Sequence, residues 1–161
     1  MNFTPYQIAT FSLLALGTIL ALWKIFIAVK QQRLNYERNR KQATIEVVST
    51  LRSEYRPLGR SINERFGNKP LSNEDFESIE ENYETKTEVR RYLGLFENLA
   101  VGVRTDTYDL HTLNMLTGRY IIKLYERFFH YIEHRRTHTD ATSLYEHLEW
   151  LVNQLKAIRK P

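Results

Sequence analysis

The stretch from Ile8 to Val29, IATFSLLALGTILALWKIFIAV, constrains the chain more than any other feature, since among its residues only Lys24 carries a charge. As a helix rising 1.5 Å per residue, it would match a hydrocarbon core of roughly 30 Å. A soluble core helix needs a polar face, which hydroxyls such as Ser12 and Thr18 do not make. A cleaved signal peptide needs a basic leader, a shorter apolar stretch and a small-residue cleavage site, and none is present. Residues 1–29 therefore read as a transmembrane anchor. Thr4, Pro5 and Gln7 have the spacing of a helix start at Pro5.

Charge sets the expected orientation. No Lys, Arg, Asp or Glu precedes Lys24, whereas Lys30, Arg33, Arg38, Arg40 and Lys41 follow the run and are opposed only by Glu37. By the positive-inside rule the N-terminus lies outside and everything after the span is cytoplasmic. The same five cations are candidate contacts for lipid head groups, at about 1 kcal/mol per well-placed residue. Within the run, Gly17 and Ala21 form a small-xxx-small pair, the candidate interface of a homo-oligomer.

Residues 30–56 contain neither proline nor glycine and read as a basic juxtamembrane helix continuing the anchor. Pro57 and Gly59 are expected to break or kink it, leaving a short helix over Ser61 to Phe66. The run Gly67, Asn68, Lys69, Pro70 is the strongest loop signal. Residues 57–161 then read as a cytoplasmic domain. Ser72 with Asp75, and Thr85 with Glu88, have capping-box spacing ahead of two helices. Val89, Leu93, Phe96, Ala100 and Val103 recur at helical steps, as do Leu113, Leu116, Tyr120, Leu124 and Phe128 within one long helix expected over 108–136. A polar loop over 135–140 and a last helix from about Thr142, with Leu144, Leu148, Leu151, Leu155 and Ile158, complete the pattern. Nothing alternates with period two. The expected fold is all-α: a transmembrane helix, its juxtamembrane continuation, and an antiparallel helical bundle.

The string RRYLGLFENLAVGVRTDTYDL, Arg90 to Leu110, carries a YLxxFENxAxGV-like signature. In it and in its whole layout the chain resembles a family of small membrane-anchored bacterial and phage proteins classified as a domain of unknown function. The resemblance implies this architecture, a bacterial inner membrane as the location, and a leaning toward phage exclusion or defence. It implies no catalytic set. In the signature, Gly94 and Gly102 lower helix propensity, which close approach of another helix would offset. Glu97 lies between apolar turns and reads as a structural buried acid, with Arg119 or Arg127 as its expected partner.

Candidate chemistry is sparse. His130, His134 and His138 recur every four residues behind Glu126, and His130 with His134 is the candidate metal pair. HExxH is absent, and a polar helix edge explains the row without an ion. Asp106 and Asp109 bracket a turn and read as caps. There is no phosphate loop, nucleophile elbow or dinucleotide fingerprint. The chain has no cysteine, and its net charge of +4 is spread among glutamates rather than massed, which argues against nucleic acid. No cofactor is expected. The expected function is a non-enzymatic, membrane-tethered interaction module whose partner is another protein or itself. Its rivals are a self-assembling membrane-disrupting effector and a metal-dependent hydrolase.

Overall fold

A computed structural model describes residues 5–138 and 141–160, with side chains from Leu16 onward. Its described residues are helical, with no strand. The helices are α1 (Pro5–Phe66), α2 (Asn73–Glu81), α3 (Tyr83–Arg104), α4 (Leu110–Leu113), α5 (Arg119–His138) and α6 (Glu146–Arg159), and a π-helical turn, Asn114–Gly118, joins α4 to α5. The chain divides into two compact units, Met1–Asn39 and Arg40–Pro161.

In the first unit the expected membrane placement is corrected. Among the described residues no helix is long and apolar enough to cross a membrane, which overturns the single-pass, inner-membrane location. The physical reason lies in charge. Lys24 sits inside the run from Ile8 to Val29, and Lys30 and Arg33 follow it closely, so this part of α1 carries an ammonium that hydrocarbon would have to accommodate. The side chains of residues 8–15 of the expected span, and Thr4 of its expected cap, lie outside the described residues. The described ones, among them Leu20, Trp23 and Phe26, are exposed.

The second unit holds the core. On α1, Thr44, Val48, Leu51, Tyr55, Gly59, Ile62 and Phe66 recur at three and four residues and all are buried. This stripe explains why the expected break at Pro57 does not occur, for α1 runs unbroken to Phe66. Pro57 is exposed, so its ring interrupts one backbone bond on the outer side while the packed face continues. Gly67, with φ of 71°, then ends the helix, its amide donating to Asn63 O at 2.9 Å.

α2, α3 and α4 each start where a side chain satisfies the first amides. Ser72 and Asp75 form the expected capping box of α2. The cap of α3 is Asn82, three residues earlier than expected, accepting from the Thr85 amide at 2.9 Å. Thr85 is instead buried and accepts from Arg65 at 2.5 Å, while Glu88 pairs with Arg65 at 3.2 Å. Asp109 caps α4 through the Thr112 amide at 2.8 Å. Burial pushes the Asp109 carboxyl up, but its two bonds from Thr112 together with the attraction of Arg40 and Lys41 outweigh this and hold it below the ordinary value. The stretch expected as one helix over 108–136 is divided by the π turn, and α5 extends to His138 across what was expected to be loop. α3 packs against α2 and α6, and α6 also meets α5 and the π turn. Phe96, Phe128, Leu148, Leu151 and Leu155 are fully enclosed among them.

Candidate functional site

An open trough of about 680 Å³ lies beside the π turn, lined by α1, the turn, the start of α5 and the end of α6. A second hollow of about 640 Å³ shares Tyr55, Arg56 and Tyr120 with it and continues toward Arg60, Asn63 and Glu64. The turn is held by a specific contact. The side chain of Arg159 donates to Asn114 Oδ1 at 2.6 Å and to Asn114 O at 2.8 Å. Gly118 makes room for this, since a Cβ there would lie 2.6 Å from Asn114 Oδ1 and 3.2 Å from Arg159 Nη2. A π turn carries one extra residue and turns neighbouring side chains outward. Here Met115 is 74% exposed, and Leu116 and Tyr120 are partly so.

The floor is aromatic. Tyr55 stacks on Tyr120 with ring centroids 4.9 Å apart, and Tyr55 meets Phe96 at 5.3 Å. The Tyr120 and Tyr92 hydroxyls share a 2.5 Å hydrogen bond. Burial pushes both phenols above their ordinary value, so each keeps its proton at neutral pH and serves as a hydrogen-bonding group rather than a base. The walls are basic. Arg52 and Arg56 lie one turn apart on α1, and Arg119 and Lys123 one turn apart on α5. Among the described residues none of these four makes an ion pair, and no carboxylate lines the larger hollow.

The residues singled out from sequence fall elsewhere. Glu97 is half-buried, as a structural acid should be, but its partner is neither Arg119 nor Arg127. Its two oxygens accept from the amides of His147 at 3.2 Å and Leu148 at 2.7 Å, in the first turn of α6. The cap position before that helix is Tyr145, in a left-handed conformation with φ of 57°, and it supplies no side-chain cap. Glu97 thus caps α6 from across the packing interface and complements its dipole. Arg127 instead reaches the end of α1, donating to Asn63 Oδ1 and, at 2.5 Å, to Gly67 O.

His130 is exposed on α5, while the His134 and His138 rings stack with centroids 4.0 Å apart. Among the described residues no three His, Cys, Asp or Glu side chains cluster as metal ligands would. Gly102 lies against the Tyr108 ring, where a Cβ would come within 2.2 Å, and Gly94 faces open space. Neither glycine serves the expected approach of another helix. Lys30, Arg33, Arg38 and Lys41 are exposed, whereas Arg40 pairs with Asp106 at 3.0 Å and donates to Tyr108 O at 3.2 Å. Gly17 has nothing near its Cβ position, and Ala21 is exposed.

Sequence reasoning missed the trough. Its only signal was two pairs of cations at helical spacing, Arg52 with Arg56 and Arg119 with Lys123, which the chain folds to face one another. A family model described as Domain of unknown function (DUF4760) matches residues 11–155. No curated protein and no solved structure matches the chain.

Proposed function

This chain belongs to the family described as Domain of unknown function (DUF4760), and we propose that residues 40–161 form an antiparallel helical bundle acting as a non-catalytic interaction module. Its recognition surface is the trough beside the π turn, and its partner is a polypeptide bearing carboxylates. One observation carries this reading: Arg52, Arg56, Arg119 and Lys123 line the trough and, among the described residues, have no ion-pair partner, next to the exposed Met115. Like charges gathered around one hollow repel each other, which costs free energy unless an anionic partner relieves it. Apolar side chains beside them suit a protein ligand better than a free inorganic anion.

The non-catalytic part of the proposal is supported by what the acids do. Asp75, Glu97 and Asp109 cap helices, and Glu80 and Glu88 hold ion pairs. Each has a structural task, and none is brought to the trough. The setting we propose for the module is phage exclusion or defence, in line with the resemblance to phage and bacterial proteins.

The test is photo-cross-linking in cells, with a benzophenone side chain placed at Met115 and, as a control, at the exposed His130. We expect a defined protein adduct at 115 that disappears when Arg52→Glu and Arg119→Glu are added. Equal labelling at both positions, or an adduct indifferent to the charge reversals, would overturn the proposal.

A further inference from the structure

The partner of the trough can be specified from the same chain. α2 and the start of α3 carry Glu74, Glu77, Glu81 and Glu84, all exposed and, among the described residues, without an ion pair. Glu74 and Glu84 lie in first turns, where the helix dipole accounts for a carboxylate. Glu77 and Glu81 do not. They project one turn apart, about 6 Å along the helix, which is also the separation of Arg52 from Arg56 and of Arg119 from Lys123. At the end of this ridge Tyr83 is 84% exposed, an amphipathic ring of the kind that anchors interfaces.

We propose that the acidic ridge of one copy, Glu77 and Glu81 with Tyr83, docks into the basic trough of a second copy. This inference rests on the reading of the trough as a recognition surface and names its occupant. The unpaired charges on the two surfaces are opposite in sign and alike in spacing. Each surface also carries one prominent apolar group, Met115 in the trough and Tyr83 on the ridge, which water covers poorly. Among the described residues the two surfaces form no ion pair within a chain, which leaves both available to a neighbour. Because the surfaces differ, two copies either exchange them reciprocally about a two-fold axis or add head to tail until a ring closes or a filament grows. A nine-residue ridge buries little area, which places a single contact among transient, salt-sensitive encounters below roughly 1,200 Å².

The chain lacks cysteine, so two single-cysteine full-length proteins test the contact directly. Met115→Cys marks the trough and Ser78→Cys marks the ridge between Glu77 and Glu81. When the two are mixed with a short bis-maleimide, the 115-to-78 product should exceed both the 115-to-115 and the 78-to-78 products at least tenfold. Adding Arg52→Glu and Arg119→Glu to the Met115→Cys chain should cut it at least tenfold, as should Glu77→Arg and Glu81→Arg in the Ser78→Cys chain. Combining the two charge-reversed chains should restore it, which only folded proteins can do. No excess of the mixed product, or failure of restoration, overturns the self-contact. If the in-cell adduct at Met115 then joins a different polypeptide, the trough remains a recognition surface with another occupant; if no adduct forms either, both proposals fall.

Discussion

Two ends of α5 carry the same kinds of cation in opposite circumstances. At its C-terminal end Arg135 meets Glu80 at 2.9 Å, and Arg136 meets Glu133 at 2.9 Å and Glu149 at 2.8 Å. The Arg136 guanidinium also donates to Leu144 O at 2.9 Å, fastening the segment before α6. At the N-terminal end Arg119 and Lys123 face Arg52 and Arg56 across open water, with no acid between them. The difference separates charges that hold the fold from charges the fold merely displays. A paired, partly desolvated guanidinium contributes stability through several directed bonds. An array of unpaired cations contributes none, and its placement makes sense through what it can attract.

That division is open to direct attack at its structural end. Arg136→Ala removes bonds to two carboxylates and one carbonyl from a side chain only 14% exposed. We expect it to cost about 2 kcal/mol in urea unfolding, within the usual range for hydrogen bonds to charged groups. A loss under about 0.5 kcal/mol, the ordinary surface value, would erase the contrast. Glu97→Ala should follow with about 1 kcal/mol, the usual worth of an N-cap, because α6 has no cap of its own. Glu97→Gln keeps an acceptor oxygen and should recover part of that loss; equal losses from both would mean that the amide bonds carry nothing.

Glu80 gives the contrast a pH signature. Burial pushes its carboxyl up, but the bond from Lys86 and the attraction of Arg135 and Lys86 outweigh this, and the net value falls below the ordinary 4.5. A carboxyl lowered by folding contributes stability that is complete above the ordinary value and is lost as pH falls through the lowered one. The stability gap between the wild type and Glu80→Gln should therefore be widest near neutrality and close below about pH 4.5, followed by urea midpoints across that range. A gap that widened on acidification would reverse the sign of the assignment.

Much of the fold was legible because local chemistry and packing agree. The apolar stripe of α3 and the Ser72 box both read correctly, since each depends on neighbours within one or two turns. The failures share a cause, which is distance along the chain. Pro57 was expected to end α1, but a continuous buried face from Thr44 to Phe66 outweighs one missing backbone bond. The cap of α6 was invisible because Glu97 lies some fifty residues before the amides it holds. Arg127 was expected at Glu97 and instead closes the end of α1. The membrane reading rested on the length of the apolar run and its lack of a polar face, and it gave too little weight to Lys24 within the run and to Lys30 and Arg33 just beyond it; among the described residues no helix is long and apolar enough to span. The trough was hidden for a further reason. Each of its cation pairs is unremarkable alone, and only the crossing of α1 and α5 at a π turn makes a site of them.

The smallest expected effect sharpens the comparison most. Arg119→Ala combined with Lys123→Ala removes two exposed charges that make no ion pair. Surface substitutions of this kind fall within about 0.5 kcal/mol, and here the sign is informative. Loss of two cations relieves repulsion from Arg52 and Arg56, so the variant should be more stable than the wild type by a few tenths of a kcal/mol at low salt. Salt screens such repulsion, with a Debye length of about 10 Å at 0.1 M and about 3 Å at 1 M. The advantage should therefore shrink toward zero as salt rises, read from paired urea midpoints at the two ionic strengths. Were the variant to lose 1 kcal/mol or more, or its change to be indifferent to salt, these side chains would be holding the fold together, and the two ends of α5 would no longer differ in kind.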